Sequence, residues 1–282
     1  MLIAQISDLH LRANGRPLHG AVDTEAAVAA CIDHLLRLHP RPDLVLATGD
    51  LVDQAFPEDY ALLHSYLARL PMPVYLIPGN HDDRAGLAAA FADHAYLPRD
   101  GFLHYAVEDW PVRLIGLDTL IPGEVGGGLC DARLRWLADR LAEQPDRPTL
   151  LFMHHPPFAT GIRFMDTPFP GAEAMAAIVR QNPQVRQIVC GHLHRAVHHS
   201  WAGTTVAIAP SVVYQMNLAL ADGDGFFFVQ QPPAISLYAW SGDTAPVGYV
   251  SLIGLAENRQ MAKAGKAAAA ATAPAMTAEG RP

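Results

Sequence analysis

Residues 2–10 read Leu-Ile-Ala-Gln-Ile-Ser-Asp-Leu-His, an apolar run that stops at Ser7 and then delivers Asp8 and His10. The same pattern returns along the chain. Leu44-Val45-Leu46-Ala47 runs into Gly49-Asp50, and Val74-Tyr75-Leu76-Ile77 into Gly79-Asn80-His81-Asp82. Leu150-Leu151-Phe152-Met153 runs into His154-His155-Pro156-Pro157, and Val185–Cys190 into Gly191-His192-Leu193-His194. Short apolar runs bounded by turn residues read as buried strands. Segments of helical spacing separate them. An Asp23 N-cap precedes Val28, Cys31, Ile32, Leu35 and Leu36, in a helix expected to end near Leu38. Pro57 opens a second helix reaching about Leu70, and further helices are expected over 131–143 and about 172–181. Residues 102–107 and 112–117 read as two more strands. The body is therefore α/β, and ligand sites in open α/β sheets lie at the carboxyl ends of the strands.

After residue 195 the helical pattern stops. Residues 196–252 read as short strands with turns at Ala202-Gly203, Asp222-Gly223 and Ser241-Gly242. The segment 256–282 is low in complexity and rich in Ala, with no apolar face to bury, and is expected to be a disordered tail. The main domain is thus 1–255, with 196–255 as a strand-rich part that forms an interface or a substrate cap.

Composition narrows the function. Of 282 residues, 50% are hydrophobic and 17% charged, which is ample for a buried core. A formal net charge of −8 argues against nucleic-acid partners and against docking on an anionic membrane. It does not exclude a small anionic substrate, because bound cations reverse the field inside a site. No apolar run reaches the ~20 residues needed to cross a bilayer. Cys31, Cys130 and Cys190 are far apart with no C-x-x-C, so free thiols in a reducing compartment are expected. No basic flank precedes the first strand, so no targeting segment is expected and the cytoplasm is the expected location.

Each polar strand end is weak evidence alone, since a lone His there is more often packed or solvated than a ligand. Together they place Asp, Asn and His at one edge of the fold. Imidazole and carboxylate suit Zn, Fe or Mn, and Cys190 is the one thiol near these motifs. In an extended segment residues two apart face the same way, so Asp8 and His10 can share one metal, and His192 and His194 one edge. Asp50 has two oxygens and can bridge two ions. A pair ~3.5–4 Å apart would clamp the attacking and leaving oxygens of a phosphoryl displacement.

In this order and at this spacing the five motifs resemble the calcineurin-like metallophosphoesterase family, over about residues 1–210. The closer likeness is to its bacterial glycerophosphodiesterase and class III cyclic-nucleotide phosphodiesterase branch. The resemblance implies a four-layer α/β/β/α sandwich of two mixed sheets. It implies two divalent ions, or an iron–divalent mixed pair, drawn from Fe, Mn, Zn and Co. Asp8, His10 and His194 would hold the first ion, Asn80, His154 and His192 the second, and Asp50 would bridge them. His81 would stand at the phosphate. A metal-held hydroxide would attack in line and displace the alcohol of a small phosphodiester, a glycerophosphodiester or a 3′,5′-cyclic nucleotide.

Other residues carry two readings. Asp82 orients His81 or caps a turn, and His155 supports a ligand or the core. Asp53 and Arg195 are expected to meet solvent or pair locally, and His198 and His199 to be exposed on a strand. Asn14 and His19 are candidates to touch substrate. Tyr214 falls where the resemblance places a His in some members, which bears on the leaving group. Trp110, Trp136, Trp201 and Trp240 are expected to pack. Substrate choice is expected to rest on residues 11–22, 119–130, 160–171 and 211–225. The competing functions are a phosphomonoesterase or another phosphoesterase on the same scaffold, and a non-catalytic scaffold without metal. A nuclease is disfavoured by the acidic balance. Phe226-Phe227-Phe228 fit either a homo-oligomeric interface or a buried second-sheet edge.

Overall fold

The apolar runs fold as strands and the amphipathic segments as the connections between them. The computed structural model describes residues 1–229, 231–242 and 245–254, so the expected tail over 256–282 lies outside the described residues. The first half alternates β1 (Leu2–Ile6), α1 (Thr24–Arg37), β2 (Leu44–Thr48), α2 (Pro57–Leu67), β3 (Val74–Ile77) and α3 (Arg84–Ala90). Next come β4 (Tyr105–Val107), β5 (Arg113–Leu117), α4 (Asp131–Glu143), β6 (Thr149–Met153), α5 (Ala172–Gln181) and β7 (Val185–Cys190). The remainder is β8 (Val197–Trp201), β9 (Thr204–Ile208), β10 (Gln215–Met216), β11 (Phe228–Val229), β12 (Ala234–Ala239) and β13 (Val247–Leu252).

The Asp23 carboxylate accepts from the Ala26 amide, as an N-cap should, and Pro57 starts α2. Helix α2 ends at Leu67, three residues before the expected Leu70, and the expected strand over 102–107 is regular only from Tyr105. Helix α3 was not expected from the sequence. The Ala202-Gly203 turn forms as read, with both residues at positive φ, and joins β8 to β9 as a hairpin.

Two mixed sheets result. One has the order β13-β12-β1-β2-β3, the other β4-β5-β6-β7-β9-β8. In the first, β1, β2 and β3 are parallel; in the second, β5, β6, β7 and β9 are parallel. The sheets pack face to face. Gln5 of β1 donates to the Cys190 carbonyl of β7 at 2.8 Å, and Tyr105 of β4 donates to the Leu76 carbonyl of β3 at 2.7 Å. Gly116 of β5 keeps the layers close, since a Cβ there would lie 2.8 Å from Phe152 and 3.1 Å from Ile77. Helices α1, α2 and α3 contact in series on one side and α4 contacts α5 on the other, completing the four-layer α/β/β/α sandwich. All the parallel strands point their carboxyl ends to one edge of it.

Trp240 is buried, while Trp110, Trp136 and Trp201 pack half-buried against the core. Among the described residues β10 and β11 pair with each other alone, so Phe226-Phe227-Phe228 are not an edge of either large sheet.

Candidate metal centre

The polar residues that end β1, β2, β3, β6 and β7 meet at that edge. They do not meet by strand alternation. Strand β1 ends at Ile6 and β7 at Cys190. Beyond them Asp8, His10, Asp50, His192 and His194 adopt left-handed backbone, with φ of 56°, 40°, 48°, 75° and 51°. The chain turns sharply at each strand end, and the two-residue spacing works through paired left-handed turns instead of an extended pleat. Asp and His are among the residues that tolerate this region best.

Glycines make the approach possible. A Cβ on Gly49 would lie 2.6 Å from His154 Nδ1, and one on Gly79 would overlap the Asp50 amide and carboxylate. A Cβ on Gly191 would overlap the Ser7 hydroxyl and lie 3.0 Å from Asp8 Oδ2.

Hydrogen bonds fix the rings. His154 Nδ1 lies 2.7 Å from the Thr48 carbonyl, and His194 Nδ1 lies 3.1 Å from the Tyr214 carbonyl. A carbonyl only accepts, so each Nδ1 carries the proton and Nε2 keeps its lone pair in the neutral ring. His154 Nε2 faces Asp50 Oδ2 at 3.4 Å, and His194 Nε2 faces Asp8 Oδ1 at 3.4 Å. His10 Nε2 lies 3.1 Å from His194 Nε2 and 3.6 Å from Asp50 Oδ2. Two imidazole lone pairs at that separation require a proton or a cation between them. His192 Nδ1 faces Asn80 Oδ1 at 3.2 Å, and the His192 amide donates to both oxygens of Asp8.

The donors therefore fall into two groups, Asp8 with His10 and His194, and Asn80 with His154 and His192. Asp50 touches a member of each. Its other oxygen is held by the His81 amide at 2.9 Å. Asp8–His10–His194, Asp8–Asp50–His154 and His154–His155–His192 each bring donor atoms within 4.8 Å of one another, close enough to hold an ion. Among the described residues, the buried Nε2 atoms of His154 and His192 have no hydrogen-bond partner. These residues fit divalent ions, because buried polar atoms without partners are costly unless something coordinates them.

The charges agree. Burial pushes the His192 imidazole down to about 3 and that of His194 well below its usual value, which keeps both as neutral donors. Burial pushes Asp8 up to about 6. For Asp50 burial acts in the same direction, but the facing charge of His154 outweighs it and holds the carboxyl well below its usual range. Conversely, burial would lower His154, but the Asp50 carboxylate raises it to about 9. The buried carboxylates favour positive charge on the groups that face them, as the raised His154 shows.

The secondary residues sort clearly. Asp82 caps the turn, accepting from the amides of Gly79 at 2.8 Å, Leu51 at 3.1 Å and Val52 at 3.3 Å, and from the Tyr60 hydroxyl at 3.3 Å. His155 is buried with Nδ1 2.8 Å from the Thr119 hydroxyl, its Nε2 unpartnered, and burial keeps it neutral. Arg195 pairs locally with the Met216 carbonyl, and His198 and His199 are exposed on β8. Asp53 does more than pair locally. Its carboxylate lies 3.5 Å from His10 Nδ1, 3.1 Å from Arg12 Nε and 3.6 Å from His81 Nδ1, tying the first and third motifs together.

The four stretches expected to set substrate choice are one contiguous collar. Leu18 packs with Tyr214 and Met216, and His19 stacks on Phe228 with centroids 4.1 Å apart. Phe164 lies 5.3 Å from Phe226, and Arg163 pairs with Asp222. The Leu129 amide donates to the Pro170 carbonyl at 2.8 Å. Tyr214 joins collar to centre, 4.5 Å from the His194 ring and 4.8 Å from Phe228. Asn14 stands in the loop after β1 at φ 62° and is exposed. No helix among the described residues is long and apolar enough to cross a membrane.

The model of the calcineurin-like phosphoesterase family matches residues 1–196. A probable glycerophosphodiester phosphodiesterase of Arcobacter nitrofigilis is 37% identical over 256 residues, covering 90% of this chain and 94% of that protein. A probable cyclic nucleotide phosphodiesterase of Rhodopseudomonas palustris is 36% identical over 226 residues, covering 78% of this chain and 81% of that protein. Among solved structures, a dimetal phosphatase from Danio rerio superposes with a TM-score of 0.58 at 16% identity, over 88% of this chain and 98% of that one, a likeness of fold.

Proposed function

Because the chain belongs to the calcineurin-like phosphoesterase family, we propose that it is a phosphodiesterase hydrolysing small phosphodiesters at a two-metal centre. The observation that carries this is Asp50, whose carboxylate faces His10 of one donor group and His154 of the other. Asp8, His10 and His194 would hold one ion and Asn80, His154 and His192 the other, with Asp50 within reach of both. When bound, such ions draw charge from the phosphate oxygens and lower the pKa of a water.

The protein supplies orientation and a proton. His81 is the one imidazole of the motifs that solvent reaches, with its side chain 39% exposed against 3% or less for His10, His154 and His194. Its Nδ1 lies 2.8 Å from the Asp53 carbonyl, so that nitrogen is the donor and Nε2 is left for substrate. In the imidazolium form, Nε2–H donates to the leaving ester oxygen and passes its proton to it as that oxygen leaves phosphorus and a water oxygen takes its place. The Asp53 carboxylate holds His10 and His81 in register.

Glycerophosphodiesters and 3′,5′-cyclic nucleotides are both substrates in this reading. Support comes from relatives named for each, and from an aromatic wall of Tyr214, Phe228 and His19 beside the centre. We place the enzyme in the cytoplasm, in keeping with its three free cysteines.

The test is a hydrolysis panel on protein loaded with Mn²⁺: bis(p-nitrophenyl) phosphate, p-nitrophenyl phosphate, glycerophosphoethanolamine and 3′,5′-cyclic AMP. Diester turnover that chelator abolishes is expected. Faster turnover of the monoester would make the protein a phosphomonoesterase, and failure to bind metal would make it a scaffold.

A further inference from the structure

A third group of metal-type donors lies away from the strand ends. His64 is in the last turn of α2, and Asp93 and His94 follow α3. One donor atom from each lies within 4.8 Å of the others. His64 Nε2 is 3.1 Å and 3.2 Å from the two Asp93 oxygens. That is near the ~3.3 Å separating neighbouring ligands around a tetrahedral ion with bonds of about 2.0 Å.

Tyr96 sets the state of His94. Its hydroxyl donates its single proton to the Val74 carbonyl at 2.8 Å and accepts from the Leu76 amide at 3.0 Å. With that proton committed, His94 Nδ1 at 3.1 Å from the same oxygen must donate. This leaves the His94 lone pair on Nε2 and anchors the ring to β3, the arrangement in which a ligand imidazole donates its other nitrogen to an oxygen behind it. Burial lowers the His94 pKa and favours the neutral ring, while the hydrogen bond from His64 lowers that of Asp93. Phe91 lies 5.2 Å from the His64 ring and 5.1 Å from that of His94. The donors stand at a groove of about 290 Å³ whose walls include Leu67, Leu70, Met72 and Phe91. Asp93 is largely exposed and gives an ion its way in.

We propose that His64, Asp93 and His94 form a separate zinc site that joins the end of α2 to the turn after α3. Two imidazoles and one carboxylate favour Zn²⁺ over Mg²⁺ or Ca²⁺, which prefer oxygen donors. Three protein ligands leave a position for water. The groups stand beside the amino-terminal half of β3, whereas Asn80 follows its other end, so this ion is distinct from those of the catalytic edge.

The experiment counts zinc bound to the full chain by equilibrium dialysis at micromolar free Zn²⁺, and locates it by anomalous scattering at the zinc edge. The wild type is expected to bind about one ion per chain more than His94→Ala or His64→Ala, with an anomalous peak among the three side chains. Equal stoichiometry in all three proteins, or a peak only at the catalytic edge, would overturn the proposal. A cooperative thermal unfolding transition followed by circular dichroism checks that each variant is folded. If either unfolds, Asp93→Asn at the surface carries the comparison. The readout is bound zinc, so it is independent of whether the catalytic reading holds.

Discussion

Around the candidate metal centre, the floor is made of strand ends and the collar of loops, and different forces hold them. In the floor, Asp8, His10, Asp50, His154, His192 and His194 are all buried, and Gly49, Gly79 and Gly191 admit no Cβ. In the collar, ring contacts and a surface ion pair join the loops, and Phe164, Leu218, Leu220 and Phe227 remain more than half exposed. Positions in the floor are set by backbone geometry, whereas the contacts that join residues 11–22 and 160–171 to the segment 211–228 are between side chains that can repack. The chemistry should therefore be brittle and the substrate range adjustable.

The largest expected effect is in the floor. Asp50→Asn should weaken metal binding and reduce diester turnover by more than the ~100-fold typical of losing a group behind a ligand. Full metal content with full turnover in that variant would remove Asp50 from the centre. His81→Ala should keep its metal, measured by elemental analysis, yet lose about 10²-fold or more in kcat. Loss of metal instead would make it a ligand. Gly79→Ala tests the backbone alone. Its methyl group meets Asp50, so urea denaturation should show a loss of about 1–3 kcal/mol. The collar should give smaller numbers. Phe228→Ala removes the ring that meets His19 and Tyr214 and should change the ratio of cyclic-nucleotide to glycerophosphodiester turnover by about 2–10-fold, with bis(p-nitrophenyl) phosphate little affected. A loss equal for every diester would place Phe228 in the floor by function. Arg163→Ala breaks an exposed pair with Asp222 and should shift stability by less than about 0.5 kcal/mol in the same urea assay.

The division between floor and collar also explains what the sequence revealed. The strands and four of the helices are local patterns, and each polar motif directly follows its apolar run. Helix α3 has seven residues, a glycine and no sustained apolar stripe, so it gave no signal beside the motif it follows. The pairs Asp8–His10 and His192–His194 lie at one edge, but the extended geometry expected for them is replaced by left-handed turns. Asp53 was underrated because three residues after Asp50 is no special spacing in a strand. Its reach to His10 depends on the bridge between Leu11 and Val52, a tertiary feature. His19, Tyr214 and Phe228 are far apart in the chain, and only folding makes them neighbours.

The left-handed backbone at Asp8, His10, Asp50, His192 and His194 has a consequence for how variation across relatives should be read. The side chains that this conformation tolerates best, Asn, Asp, His and Gly, overlap heavily with those that bind hard and borderline cations. Two selective pressures would thus write the same letters at the same columns, and invariance there would not by itself identify a ligand. Glycine separates them, because it relieves the torsional demand while removing the donor. A library carrying glycine at each of the five positions would keep folded chains and lose bound ions, giving the two pressures separate signatures.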